Sequence, residues 1–182
     1  MYWKRRLKRS GERWDLCLRF GFIFAALLLG VCGGLRASEK VKELQDHFDH
    51  ESHAGGKVKT LNKLGDAQFE AATKAGTDGE YVTVGLILEK YRDNVRTAFD
   101  LLKKQEPDAD RHPNNYRQLE LEVRKGIREV EETIVVVPAE VRPPLQLVRQ
   151  DLISTDDALI ALLFPRRTKD PTKVPPVPEA KP

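Results

Sequence analysis

From residue 38 onward, apolar side chains recur at steps of three and four, the spacing that puts them on one face of a helix. The clearest run is Tyr81, Val84, Leu88, Tyr91, Val95, Ala98 and Leu102, with Ile87 and Phe99 widening the stripe. Such a stripe is wide enough to bury against two neighbours. Lys103, Lys104 and Gln105 close this helix and Pro107 follows it, as suits a chain that has stopped being helical. Before it, Ser38 can cap a helix carrying Val41, Leu44 and Phe48, which Ala54-Gly55-Gly56 is expected to end. A second helix carries Val58, Leu61, Leu64, Phe69 and Ala72, and Gly76-Thr77-Asp78-Gly79 breaks it.

A loop from Glu106 to Asn115 holds Pro107 and Pro113. The next helix carries Tyr116, Leu119, Val123, Ile127, Val130, Ile134 and Val137, with Pro138 as its stop. Its last residues, Ile134-Val135-Val136-Val137, are β-branched and locally favour a strand. With no partner strand in the pattern, they read as the buried end of a helix. Pro143-Pro144 opens a fifth helix, where proline is tolerated, with Leu145, Val148, Leu152, Thr155, Leu159 and Leu162 as its stripe. Ser154-Thr155-Asp156 offers an alternative break within it. From residue 165 the composition turns to Pro, Lys, Arg and Thr, which predicts an extended, disordered tail over 165–182. Short links between long helices favour antiparallel neighbours. The pattern therefore predicts an all-α, up-down antiparallel bundle of four to five helices over 38–164.

The front of the chain breaks this pattern. Lys4, Arg5, Arg6, Lys8, Arg9, Arg13 and Arg19 precede an uncharged stretch of 16 residues, 20–35, and Arg36-Ala37-Ser38 then leads into charged, helix-forming sequence. A positive start, a short apolar run and a small residue are the layout of a secretory signal. A membrane-spanning helix needs roughly 20 apolar residues, so this run is short for one. Residues 1–37 are read as a signal peptide cut after Ala37, with an uncleaved membrane anchor as the alternative. In both, the basic end stays cytoplasmic. Val31 before Cys32 suits a lipidation site poorly, and Leu7-Lys8 after Arg5-Arg6 does not continue a twin-arginine signal.

Removing this leader changes the charge. It holds 8 of the 31 Lys/Arg and 2 of the 28 Asp/Glu, so the remaining 145 residues carry 23 basic and 26 acidic groups, net −3. A net-acidic body argues against nucleic acid as a partner. Both cysteines, Cys17 and Cys32, also lie in the leader. The body therefore has no disulfide, no thiol nucleophile and no cysteine metal site, and its length suits one domain with a core of its own.

Candidate chemistry is sparse. His47, His50 and His53 recur every three residues among Asp46, Asp49 and Glu51. On one helix their imidazoles would span an arc able to offer ligands to Zn²⁺ or Cu²⁺. The competing reading is a polar helix end, where histidine suits the negative end of the dipole. The fourth histidine, His112, falls in the Pro-flanked loop and reads as solvated. No GxSxG elbow or phosphate-cradling glycine loop is present, and the many carboxylates read as solvated. Arg124, Lys125, Arg128, Glu129, Glu131 and Glu132 form a mixed-sign outer face. Tyr81, Tyr91 and Phe99 fall on the core stripe, with a pocket between helices as the alternative. The tail could dock a groove as polyproline.

Leu64-Gly65 and Tyr81 match a tetratricopeptide repeat in spacing. Thr77, Val84 and Glu89 depart from that pattern, and no second copy follows; a plain helical hairpin is the reading. The stretches Tyr91–Phe99, Gln118–Lys125 and Leu159–Pro165 resemble uncharacterised secreted helical proteins of bacteria over roughly residues 59–165. That resemblance implies an envelope protein and assigns no site residues. The sequence is thus read as an exported, non-catalytic binding or scaffold domain without cofactor. Helix faces would meet a protein partner or a second copy, in the periplasm or outside the cell, and only the leader would touch membrane. The alternatives are a periplasmic Zn²⁺- or Cu²⁺-binding protein using His47, His50 and His53, and an enzyme.

Overall fold

A computed structural model describes residues 39–165. The expected leader of 1–37, and all but the first residue of the expected tail, lie outside the described residues. The described chain is all-α and contains no strand. Its helices are α1 (39–50), α2 (Ala54–Thr77), α3 (Tyr81–Gln105), α4 (Pro113–Val136) and α5 (Arg142–Leu163), with a single 3₁₀ turn at Ala139–Val141. No described helix is long and apolar enough to cross a membrane.

Two hairpins, α2/α3 and α4/α5, lie side by side. Across them α2 meets α4 and α3 meets α5, while α2 and α5 do not touch. Asp66 pairs with Lys125 across α2 and α4, and Arg92 and Arg96 pair with Asp151 across α3 and α5. Gly55 lies against Asn115 near the starts of α2 and α4, and Ala72 and Gly76 line one groove with Thr133 and Val136 near their ends, so these neighbours run parallel. Tyr81, which opens α3, lines the same groove as Val137, just before α5, so α3 and α5 do too. Within the second hairpin Arg149 pairs with Glu131 and Arg124 with Asp156, the reversed order of an antiparallel pair. The core fills the space between: Leu61, Leu64, Val84, Leu88, Tyr91, Val95, Leu119, Val123, Val148 and Leu152 are all but inaccessible.

The helix ends follow local chemistry. At the end of α2, Gly79 has φ +80°, the left-handed region where a side chain is penalised. Its N–H donates to the Gly76 carbonyl (3.2 Å) and that of Glu80 to Ala75 (2.8 Å), which is the Schellman arrangement. The expected first break is displaced. Helix α1 stops at His50, and Ala54-Gly55-Gly56 forms the first turn of α2 instead of ending α1. The two glycines serve close packing. A Cβ on Gly55 would press on the Asn115 side chain and one on Gly56 would collide with Glu51. The Glu51 carboxylate accepts from the His53 N–H (2.9 Å), and the Gln105 side chain accepts from the Ala54 N–H (2.8 Å). Helix α4 begins at Pro113, three residues before Tyr116, because its first N–H would have no helical partner in any case. Helix α5 runs unbroken through Ser154-Thr155-Asp156, with the Thr155 hydroxyl donating to the Asp151 carbonyl (3.0 Å).

The β-branched end of α4 departs from its expected burial. Val137 is buried, but Val135 and Val136 stand in solvent at 74% and 77% exposure. Helix continuation fixes their faces, and only one of every three or four positions can look inward. Helix α1 covers the seam between α2 and α3. Phe48 is inserted into the core, and Gln45 and Asn94 exchange two side-chain hydrogen bonds (3.1 and 2.8 Å) across α1 and α3.

Replacing Gly79 by alanine forces a Cβ into the left-handed region with nothing gained nearby, since no atom lies within 4 Å of that position. Chemical denaturation of Gly79→Ala is expected to show a loss of about 1 kcal/mol, with the helical circular dichroism of the native state unchanged.

Candidate functional site

The tightest point of the fold lies where α2, α3 and α4 converge. The sequence places a glycine on each of two helices there, Gly65 on α2 and Gly126 on α4, with Tyr91 of α3 between them. A Cβ on Gly126 would stand 2.5 Å from the Tyr91 hydroxyl and 2.8 Å from its ring carbon Cζ. A Cβ on Gly65 would collide with the Glu122 carboxylate and come within 3.1 Å of the Tyr91 ring. The missing side chains thus form the slot that holds the ring. Phe69 closes one side, its ring centre 4.6 Å from that of Tyr91 and tilted by 57°.

In this slot the Tyr91 hydroxyl donates to the main-chain carbonyl of Glu122 (3.0 Å). In a helix that carbonyl also accepts from the residue four positions on, here Gly126, which is why a side chain at 126 would block the tyrosine. The Glu122 carboxyl lies in the same place, 5% exposed. Its contact with the Tyr91 hydroxyl is long, 3.5 Å, because that hydroxyl is already directed at the carbonyl. Burial therefore outweighs stabilisation and pushes the Glu122 carboxyl up to about 7. Lys125 opposes the shift, Asp66 and Glu129 reinforce it, and the Tyr91 hydrogen bond opposes it. The Tyr91 hydroxyl is held well above its usual range, first by burial and then by the Glu122 charge.

Glu122 overturns the expectation that the carboxylates are solvated. Lys125 stays at the surface, as expected of its face, but turns toward α2. Its ammonium pairs with Asp66 of α2 and sits 5.8 Å from the centre of the Phe69 ring. The arrangement can hold or release one proton at a helix crossing.

A second feature lies at the end of the bundle where α2 and α4 finish and α3 begins. A groove of about 400 Å³ opens there, with Ala72, Gly76, Tyr81, Glu129, Glu132 and Val136 among its walls. The Thr77 and Thr133 hydroxyls on its rim are directed back at the helix carbonyls of Thr73 and Glu129 (2.9 and 2.8 Å).

The structure separates the three histidines. His47 and His50 are on α1, whereas His53 is past its end, at the residue preceding α2. The His47 Nδ1 lies 3.2 Å from the Thr60 hydroxyl, and the His50 Nδ1 lies 2.7 Å from the Asp46 carbonyl. The single-helix arc expected of them does not form, because α1 ends three residues before His53. Among the described residues no three His, Cys, Asp or Glu side chains are grouped so as to hold a metal ion. His112 precedes α4 on the exposed loop. Tyr91 and Phe99 are core residues and Tyr81 is half-buried on the groove. Comparison of the chain with protein-family models, with curated proteins and with solved structures gave no match.

Two expectations follow for the slot. The folded-state Glu122 carboxyl titrates above its ordinary value of 4.5. The stability it allows is therefore complete below pH 4.5 and lost as pH rises through about 7. Glu122→Gln keeps the neutral form throughout. In paired urea titrations at a series of pH values, its advantage over the native chain should grow between those limits to about 3 kcal/mol and then level off. A difference independent of pH would contradict the assignment. Gly126→Ala should cost about 1–3 kcal/mol by forcing the tyrosine out of its slot. The same measurement on Gly85→Ala, where no atom lies within 4 Å of the new Cβ, should show no loss.

Proposed function

We propose that the chain is an exported, non-catalytic helical binding or scaffold protein of the bacterial cell envelope, acting through a helix face. The observation that carries this reading is a set of exposed apolar side chains near the starts of α3 and α5. Val82 and Leu86, one turn apart on α3, are 75% and 62% exposed, and Leu147 of α5 is 62% exposed. Leu147 is one turn before Asp151, which pairs with Arg92 and Arg96 of α3. It therefore lies on the α3 side of its helix. Val82 is two heptads before Arg96 and shares its face. Val82, Leu86 and Leu147 are thus three exposed apolar side chains near the starts of two neighbouring helices. The seam of α2 and α3 is covered by α1, whereas the 3₁₀ turn Ala139–Val141, which touches both α3 and α5, leaves these three side chains exposed. Grouped exposed apolar side chains of this kind mark interaction surfaces.

Two further features support the reading. The leader has the layout of an export signal, and the body it would deliver is acidic and cysteine-free. Ion pairs of the described bundle join α2 to α4, α3 to α5 and α4 to α5.

The test has two arms. In cells, fractionation and intact-mass analysis should find the chain in the envelope with its leader removed after Ala37, or retained as an anchor through 20–35. Full-length chain dissolved in the cytosol would end the reading. A photo-crosslinking residue at Leu86 should then trap one discrete partner or a second copy, and the same residue at the exposed Lys63 of α2 should not. Leu86→Asp with Leu147→Asp should abolish the adduct while shifting stability by less than about 0.5 kcal/mol, as befits surface positions. Equal trapping at both sites would remove this apolar set from the proposal.

A further inference from the structure

Gly76 differs from the glycines of the tyrosine slot. A Cβ on Gly65 or Gly126 would collide with its neighbours, whereas a Cβ on Gly76 would meet only Val84, at 3.8 Å. Helix packing therefore does not require a glycine at 76. What the missing side chain leaves is room, because Gly76 is a wall of the groove of about 400 Å³ at the ends of α2 and α4. That volume suits a small-molecule site.

The charge of the groove has one sign. Its walls include two carboxylates, Glu129 and Glu132, and no lysine, arginine or histidine. Neither carboxylate is in an ion pair among the described residues. Glu129 is half-buried, where an uncompensated charge is less well solvated than in the open. The neighbouring cations are committed elsewhere. Lys125 pairs with Asp66, and the Arg142 guanidinium donates to the carbonyls of Val137 (3.1 Å) and Val135 (3.5 Å). Lys74, the basic residue in the last turn of α2, is not among the walls. Helices α2 and α4 both finish here, so the negative ends of two dipoles face the same opening. The Thr77 and Thr133 hydroxyls donate to helix carbonyls, which leaves their oxygens as acceptors. Such a lining favours a cation that can donate hydrogen bonds.

Shape narrows the choice of cation. Glu129 and Glu132 are three residues apart on one helix, with about 5–6 Å between their Cβ atoms. Two ammonium groups joined by a short methylene chain match that spacing. The methylenes would lie on Ala72 and Val136, and the Tyr81 ring on the rim attracts an ammonium group through its face. A hard divalent metal ion is a poorer match. It needs six or more oxygen ligands, and no three His, Cys, Asp or Glu side chains are grouped to hold one among the described residues.

We propose that the groove bounded by Gly76, Tyr81, Glu129 and Glu132 is a binding site for an aliphatic diamine, with one ammonium group on each carboxylate and the methylenes on Ala72 and Val136. The site shares no residue with the exposed apolar set of α3 and α5, so either can fail without the other.

The test titrates the isotope-labelled full chain with putrescine and follows backbone amide signals. About 0.15 M salt screens the bulk attraction between an acidic body and a cation. The signals of Gly76, Thr77 and Thr133 should shift and saturate with a Kd below about 1 mM, while that of Leu121 stays in place. Butylamine, with the same carbon chain and one charge, should bind about tenfold more weakly, and butanediol should give no shift. Glu129→Gln with Glu132→Gln should weaken putrescine binding by at least about tenfold. Glu39→Gln with Glu43→Gln removes the same charge from α1 and should leave it unchanged. Gly76→Leu, which fills the groove, should abolish it. Shifts spread over the whole acidic surface, or no saturable shift at the groove, would overturn the proposal. So would equal binding of butylamine or Mg²⁺, or affinity retained when both groove carboxylates are amides.

Discussion

The bundle depends on one steric constraint, the seating of the Tyr91 ring between two glycines. Helices pack at a distance set by the side chains between them. At this crossing two of the three helices present a glycine to the third, which contributes a ring whose hydroxyl reaches a helix carbonyl. That single contact fixes the separation of the hairpins, the register of α3 against α4 and the rotation of α4. The rest of the core fills the space so defined. Leu61, Leu64, Leu88, Leu119, Val123 and Leu152 all belong to that one buried cluster. Interiors this closely packed resist displacement of a ring by even one methyl group.

The same constraint explains why an acid is found inside. Glu122 lies on the inward stripe of α4, three residues after Leu119 and four before Gly126. The helix rotation that places the Glu122 carbonyl beneath the tyrosine hydroxyl also carries its own carboxyl into the interface. Lys125, one turn away on the same side, brings a charge to the rim but not to the carboxyl itself, because it pairs with Asp66. Burial of the acid is thus a geometric by-product of the tyrosine contact, and its elevated proton affinity follows.

Most of the helix pattern was legible in the sequence because it rests on periodicity. The stripe from Tyr81 to Leu102 needed only a count of threes and fours, and the stop at Gly76 to Gly79 needed only the conformational freedom of Gly79. The misread places involve contacts between distant residues. Gly55 and Gly56 look like a helix break until Asn115 and Glu51 are seen against them. His53 shares the spacing of His47 and His50, yet α1 ends before it, because the turn is secured by a Gln105 side chain some fifty residues away. Gly65, Tyr91, Glu122 and Gly126 are spread over three helices, and nothing local distinguishes this glutamate from its solvated neighbours. A signal was present in retrospect: a small residue and an acid on the buried stripe of α4, opposite a second small residue on α2. It can be read only once the pairing of helices is known.

Gln105 also sets an order of assembly. It sits at the very end of α3, yet its side chain accepts from the Ala54 N–H and donates to the Ser52 carbonyl, clasping the turn that joins the first two helices. Asn94 and Gln45 add a second latch higher on the same seam. A chain emerging from its N-terminus therefore presents α1 long before the residues that fasten it have appeared. The first of the described helices is thus fastened only once α3 has been made, and the apolar side of Phe48 must wait, uncovered or shielded by others, until then.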